Sequence, residues 1–519
     1  MRSLLFCLIV STFLGCGGPA LPSNILIYGR GDDADRLDPI HTDIGESVTV
    51  MCNIYDTLVT YDEETLDLVP SLAESWSTSD DGLEWTFHLR KGVTFHDGTP
   101  LDADAVLFSL ERLTVPMHPF VFDQVIPYVQ SFEAIESVSA VDPLTVKVRL
   151  KRPTAAFLTT MAMFPASIVS PTAVKKYEGE FWKHPVGTGP FQFDSWNVNQ
   201  QLTLLAFDDH WRGRPEIDGV IFLPVGESAV RVKQLLRGEI DIADNLPPAE
   251  IDSLSKNPEV IVQEKEGMNT GYLTMNNDKA PLDDQRIREA IWYAIDRDQL
   301  IKSAYSGHAT KAVTLVPPTL WGSHSDLTDR DYDPAKAKQL LAAAAADGVP
   351  MPIRLQLFVM TDPRPYMQQP RQTAIFIKDS LAKVGIETEI VTNQNSQHFR
   401  RMTRGEHQLG LAGWTADMPD PDNFLYTLLD LDNINDVGGN NMSRYRSQKV
   451  HDLLAQAKVE MNQEKRAELY REAQEEIFAD APLVPLVHTS VRNVQSKAVS
   501  GYLLHPSSLT RLRLTKLAK

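Results

Sequence analysis

Only three cysteines occur in 519 residues, Cys7, Cys16 and Cys52. The first two lie in the apolar N-terminal segment, so the body of the chain keeps one thiol and no intrachain disulfide. Cys52, in Val48-Thr49-Val50-Met51-Cys52, reads as a small buried hydrophobe and not as a nucleophile. Positive charge is also scarce. Fifty Lys and Arg stand against 69 Asp and Glu, a net charge of -19, which argues against nucleic acid or an anionic membrane surface as the main partner. Beyond the first 15 residues no apolar run approaches the roughly 20 residues of a transmembrane helix. Catalytic signatures are missing as well. There is no HExxH and no zinc-spaced Cys/His cluster among the 13 histidines, and no GxSxG elbow or Walker A loop. Internal repeats and long low-complexity tracts are absent too. What remains is a globular chain too long for one simple core, with two or three lobes expected.

The N-terminus carries the first positive signal. Arg2 precedes an apolar stretch over 4–14, broken only by Ser11 and Thr12. That is too short to span a bilayer and has the length of a signal-peptide h-region. It ends in Phe13-Leu14-Gly15-Cys16, which resembles a bacterial lipobox with Phe where Leu is usual. The resemblance implies a signal peptide over 1–15, a lipidated Cys16 and a linker over 16–23. It also implies a bacterial periplasmic or cell-exterior location, with acyl chains as the only membrane anchor.

Periodicity supplies the elements. Segments 84–90 and 144–150 alternate at period 2, as half-exposed antiparallel strands do, and 102–113 carries a helical apolar face. Strands are predicted over 24–29, 201–207 and 220–225, with a short helix over 228–237. After residue 270 the pattern becomes strand, helix, strand. A strand over 272–277 leads to one long helix over 284–305, and Asp333-Pro334 opens a helix closed by Gly348. A strand over 353–359, a helix over 372–384 and strands over 387–392 and 409–414 follow. Two helices over 447–461 and 463–479 precede a last strand over 483–488. This is the grammar of an α/β lobe, while the earlier part mixes hairpins with short helices. Gly29-Arg30-Gly31-Asp32-Asp33-Ala34 formally matches GxGxxA, but its carboxylates and the breaker Asp38-Pro39 exclude a phosphate-holding helix start. Asp430, Asp432, Asn435 and Asp436 resemble a calcium loop in composition only, since glycine and closing glutamate are misplaced.

Several stretches together resemble one family. They are Leu72-Ala73-Glu74-Ser75-Trp76, the segment 85–93 (WTFHLRKGV), Phe95-His96-Asp97-Gly98, the segment 185–191 (PVGTGPF), the segment 268–273 (MNTGYL), and Ala294-Ile295-Asp296-Arg297. With the segment 413–424 (GWTADMPDPDNF), they are similar to family 5 solute-binding proteins, the dipeptide, oligopeptide and nickel binders of ABC importers. The last segment looks most like the dipeptide-binding branch. The resemblance implies an α/β, two-lobe periplasmic-binding-protein fold of the large type II class, with mixed sheets flanked by helices and a ligand cleft between the lobes. Lobe I is expected over 24–268 with an inserted subdomain at about 46–184, lobe II over 269–483, and a return to lobe I over 484–519. It implies a monomer that closes on a short peptide and hands it to permease subunits, with no cofactor, metal or catalytic residue. Asp417 is implied as the ammonium anchor, Trp414 as an apolar wall and Arg371 as the carboxylate anchor, with Arg364 close enough to compete. Gly31 is expected to let ligand main chain approach. Nickel-chelate, haem, glycoside or opine ligands occur in the broad family, and a receptor or interaction lipoprotein is the alternative role. The dipeptide branch commonly has a cysteine pair after its DPDNF segment. Here Leu429-Asp430-Leu431-Asp432-Asn433 stands there instead, so the pocket is expected to differ at the ligand's C-terminal end.

Overall fold

A computed structural model describes residues 24–62, 64–123, 125–436, 439–507 and 509–518, the side chains of 395 and 396 excepted. The N-terminal reading around Cys16 lies outside the described residues. No helix among them is long and apolar enough to cross a membrane.

The architecture is two α/β lobes on one strand path. In spatial order the path runs Ile386–Asn393, Ile353–Met360, Leu409–Thr415, Asn269–Met275, Leu483–Ser496, Ile242–Ala243, Ile25–Arg30, Gly219–Pro224, Gln201–Ala206 and Phe191–Asn197. The strand Leu483–Ser496 belongs to both halves. Its residues 483–489 pair with Asn269–Met275 and Ala309–Lys311, and its residues 490–496 pair with Val260–Glu266. The sequence signals only the apolar half, 483–488. The polar continuation becomes strand because an antiparallel partner covers its whole length.

In the second lobe, Ile353–Met360 runs parallel to Ile386–Asn393, and the helix Pro370–Ala382 crosses between them as a parallel pair requires. Its Ile377 and Leu381 are fully buried in one core with Leu355 and Leu357. The helix predicted over 284–305 is two helices, Gln285–Ala294 and Arg297–Ala304. Asp296 breaks it, because its side chain accepts from the Gln299 amide and starts the second helix as an N-cap.

The first lobe also carries a separate four-stranded antiparallel sheet in the order Ala73–Thr78, Glu84–Leu89, Thr145–Leu150, Ile135–Asp142. The helix Ala103–Thr114 covers it, capped by Asp102, and Val106 and Leu110 pack with Phe87, Val146 and Val148. The bend at 187–190 has a physical reason other than turn geometry. A Cβ on Gly187 or Gly189 would lie 2.2 or 2.7 Å from the Ile54 carbonyl oxygen, so the two backbones approach as closely as only glycine permits. His96 joins this junction, with Nε2 2.9 Å from the Gly189 carbonyl.

Candidate functional site

Between the lobes lies a cavity of about 540 Å³, within the range of small-molecule sites. Residues of both lobes line it. Asp43, Gly45, Val48, Tyr128 and Phe164 come from the first lobe, and Arg364, Tyr366 and Trp414 to Asp417 from the second.

Asp417 leaves the strand Leu409–Thr415 two residues beyond its end and is held by two hydrogen bonds. Tyr128 Oη donates to its carboxylate at 3.1 Å. The Asn423 side-chain oxygen accepts from the Asp417 amide at 3.1 Å and from the Trp414 indole N–H at 2.9 Å. One amide thus fixes both the apolar wall and the carboxylate beside it. Burial pushes the Asp417 carboxyl up to about 6, with Tyr128 opposing the rise and the nearby Asp43 adding to it. No cation from the protein is bonded to it in this cleft among the described residues. A desolvated carboxylate at a ligand cavity is suited to receive a cationic group.

Behind it, Asp420 accepts from the Asp422 amide at 3.0 Å and so starts the helix Asp422–Leu429. It also receives both arms of Arg466 at 3.0 Å.

The structure separates the two arginines. Arg371 sits exposed in the first turn of Pro370–Ala382 and is not among the residues that line the cavity. Arg364 lines it. Its amide and carbonyl pair with those of Met367 at 3.1 and 2.9 Å, making a tight loop. The ring of Tyr366 in that loop lies where a Cβ on Gly413 would come within 2.1 Å of it. Glycine at 413 therefore makes room for the loop that presents Arg364. Gly31 is also outside the lining: a Cβ there would meet the Arg231 guanidinium at 3.7 Å. Its loop runs through bends and a turn to a helix that starts only at Gly45, and Arg30 pairs internally with buried Asp33 at 2.6 Å. Burial pushes the Cys52 thiol up to about 11, in keeping with an inert thiol.

Sequence reasoning missed Tyr128, Asp43 and the aromatic wall of Tyr272, Tyr366 and Phe399. Asn423 stood inside the quoted segment 413–424 without being read as the residue that orients its neighbours.

Comparison with known proteins agrees with this architecture. The family model described as "Bacterial extracellular solute-binding proteins, family 5 Middle" matches residues 67–436. The chain is 36% identical over 473 residues to the dipeptide-binding protein of Escherichia coli K12, covering 87% of each chain. It is 35% identical over 473 residues to heme-binding protein A of Haemophilus influenzae, covering 87% of this chain and 85% of that one. Among solved structures, the ABC transporter-associated periplasmic binding protein DppA of Helicobacter pylori, in complex with the peptide STSA, superposes with a TM-score of 0.83 at 35% identity. That superposition covers 95% of this chain and 98% of that one. The chain belongs to family 5 of the bacterial extracellular solute-binding proteins.

Proposed function

We propose that this protein captures a short peptide between its lobes and delivers it to the permease of an ABC importer. The observation that carries the reading is the cleft itself, with a desolvated carboxylate, Asp417, on one wall and a cation, Arg364, on another. A zwitterionic peptide needs both, because either terminus buried alone would be an unpaired charge. Asp417 takes the ammonium group, Trp414 walls it, and Arg364 takes the carboxylate in place of Arg371. The planar guanidinium can grip a carboxylate with two bonds. Tyr272, Tyr366, Phe399 and Met442 suit a ligand with apolar side chains. The relative named for dipeptide and the neighbour holding a peptide favour the peptide as ligand, while the relative named for haem points to the alternative.

The lobes in this reading are 24–267 with 490–518, and 268–489, so the chain returns inside its long strand and not ahead of it at 484. Both crossings lie side by side. The Gly267 amide donates to the Thr489 carbonyl at 3.2 Å. The Asn269 side chain clasps Thr489, donating to its carbonyl at 3.0 Å and accepting from its amide at 3.0 Å. Two adjacent strands crossing at one level form a hinge about which the lobes close.

Native mass spectrometry and thermal shift on a chain starting at Gly17, before and after mild unfolding strips any bound molecule, test the proposal. A co-purified peptide, or a melting temperature raised by dipeptides or tripeptides, is the expected result. A bound haem, chelate or sugar would keep the transport role and discard the Asp417 and Arg364 assignments. No response to a broad panel would favour an interaction lipoprotein. The lipid anchor is tested separately. Cys16→Ser is expected to abolish labelling by a fatty-acid analogue and to move the protein from the membrane to the soluble fraction. Unchanged membrane association would remove the anchor.

A further inference from the structure

The charges that line the cleft say more about the ligand than its two ends. Among the described lining residues the charged side chains are Asp43, Arg364 and Asp417. On the peptide reading, Asp417 and Arg364 take the ammonium and carboxylate groups. Asp43 is left over. Closed on a zwitterionic peptide, the cleft would keep one negative charge, and burying an unpaired charge is expensive.

Nothing in the fold uses the Asp43 carboxylate. It forms no hydrogen bond or ion pair among the described residues, and the helix Gly45–Ile54 that follows has no side-chain cap. Its backbone, by contrast, is held on both sides. Thr42, 2% exposed, donates from Oγ1 to Asp35 at 2.7 Å and accepts from the Ile44 amide at 3.1 Å. The loop so fixed leaves Asp43 exposed on the cleft wall. Its charge reaches the ammonium site. It adds to the rise that burial causes in the Asp417 carboxyl, and it joins burial and Asp417 in raising the Tyr128 hydroxyl. Two carboxylates from opposite lobes thus act on one region. One ammonium group shared between them would leave the excess charge uncancelled, whereas a second cation removes it. The side chain of the ammonium-bearing residue branches from the next atom along, so it is the ligand side chain closest to that region.

We propose that this protein prefers peptides whose first residue is lysine or arginine, and that Asp43 selects that basic side chain. The proposal rests on the peptide reading and adds a third charge pair to it. With the ammonium on Asp417, the carboxylate on Arg364 and the basic side chain on Asp43, the charges in the closed cleft sum to zero. Complementary charge across a binding site decides which ligand is admitted, and a net charge of -19 further favours cations on approach. A glutamate in the same place would face two carboxylates.

Isothermal titration of the full chain at pH 7 and low salt, with lysyl-alanine, methionyl-alanine and glutamyl-alanine, tests the selection. Methionine supplies a side chain of similar length without charge. Lysyl-alanine is expected to bind at least about fivefold more tightly than methionyl-alanine, and glutamyl-alanine at least about fivefold more weakly. The preference should narrow as salt is raised, because Asp43 is exposed. Alanyl-lysine should show no such gain over alanyl-methionine; an equal gain would overturn the placement at the first residue. In Asp43→Asn the ratio between lysyl-alanine and methionyl-alanine is expected to fall within about twofold, and binding of methionyl-alanine by the variant shows that it is folded. A ratio that persists in the variant would overturn the proposal. Binding of methionyl-alanine by the unaltered protein with no gain for lysyl-alanine would overturn it too, and would leave the peptide reading standing. No binding of any of these peptides would overturn both.

Discussion

Asp417→Asn is expected to lower the affinity for a dipeptide by at least about thirtyfold, the usual consequence of removing one partner of a buried charge pair. The substitution is nearly isosteric and keeps an oxygen for Tyr128 Oη, which donates to Asp417 at 3.1 Å, so the loss would report charge and not shape. An N-acetylated dipeptide supplies the control. It should bind the unaltered protein weakly, and the variant should no longer distinguish it from the free amine. Titration curves across pH make the same point. The Asp417 carboxyl stands at about 6, raised from 3.8 chiefly by burial, and a ligand ammonium favours its ionised form. Above about 6 the empty cleft is already ionised. Below it a proton must leave on binding, so affinity should fall by up to about tenfold per pH unit. That slope should vanish in Asp417→Asn.

Stability should move the opposite way. A carboxyl whose folded value is raised stabilises the fold fully below its unfolded value of 3.8, and this contribution is lost as pH rises through about 6. At pH 7 the empty protein therefore carries an ionised, unpaired Asp417 at a cost, and the Asn variant without ligand should melt higher than the parent. A variant that melts no higher at pH 7, or a dipeptide affinity within threefold of the parent, would remove Asp417 from the ammonium site.

Much of this geometry was legible before the fold was known, and the exceptions share one cause. Strands such as Glu84–Leu89 and Thr145–Leu150 announce themselves because burial imposes their period locally. The cap at Asp102 and the turn at Gly98, whose φ is +78°, are equally local. Asp417 and Trp414 were found by resemblance and do line the cavity. Tyr128 was not, because it reaches Asp417 from 289 residues away and no pattern in its own segment marks it. The sequence does not separate Arg371 from Arg364 for the same reason. Each follows or precedes a proline in one short stretch, and only the seat of Tyr366 on Gly413 turns the loop carrying Arg364 toward the cleft. The break at Asp296 was readable as an aspartate three residues ahead of Gln299, a capping pattern overlooked because the apolar face continues through it.

Removing the guanidinium of Arg466 should be the most destabilising single change near the site. It forks onto Asp420 with two bonds of 3.0 Å, and the two side chains are 6% and 2% exposed. Its Nε donates to the Ala457 carbonyl at 3.0 Å, and its charge lies 5.0 Å from the centre of the Trp321 ring, whose indole N–H donates to the Pro419 carbonyl at 3.0 Å. The pair thus ties the loop after Asp417 to the C-terminal helices Gln448–Val459 and Gln463–Asp480. Arg466→Met leaves Asp420 buried without its cation, which costs about 3–5 kcal/mol. Urea unfolding should show the second lobe losing that stability. Arg466→Lys, which restores the charge without the fork, should fall between the two. The replacement of both partners, Asp420→Asn with Arg466→Met, should recover part of the loss, since no unpaired charge remains and Asn still accepts from the Asp422 amide. Because Arg466 never reaches the cleft, folded Arg466→Lys should lose little peptide affinity, whereas Asp417→Asn loses nearly all of it. An Arg466→Met protein with the parent's unfolding midpoint would show that the loop is held by Asn423 and Trp321 alone, and that the buried ion pair adds nothing to the presentation of Asp417.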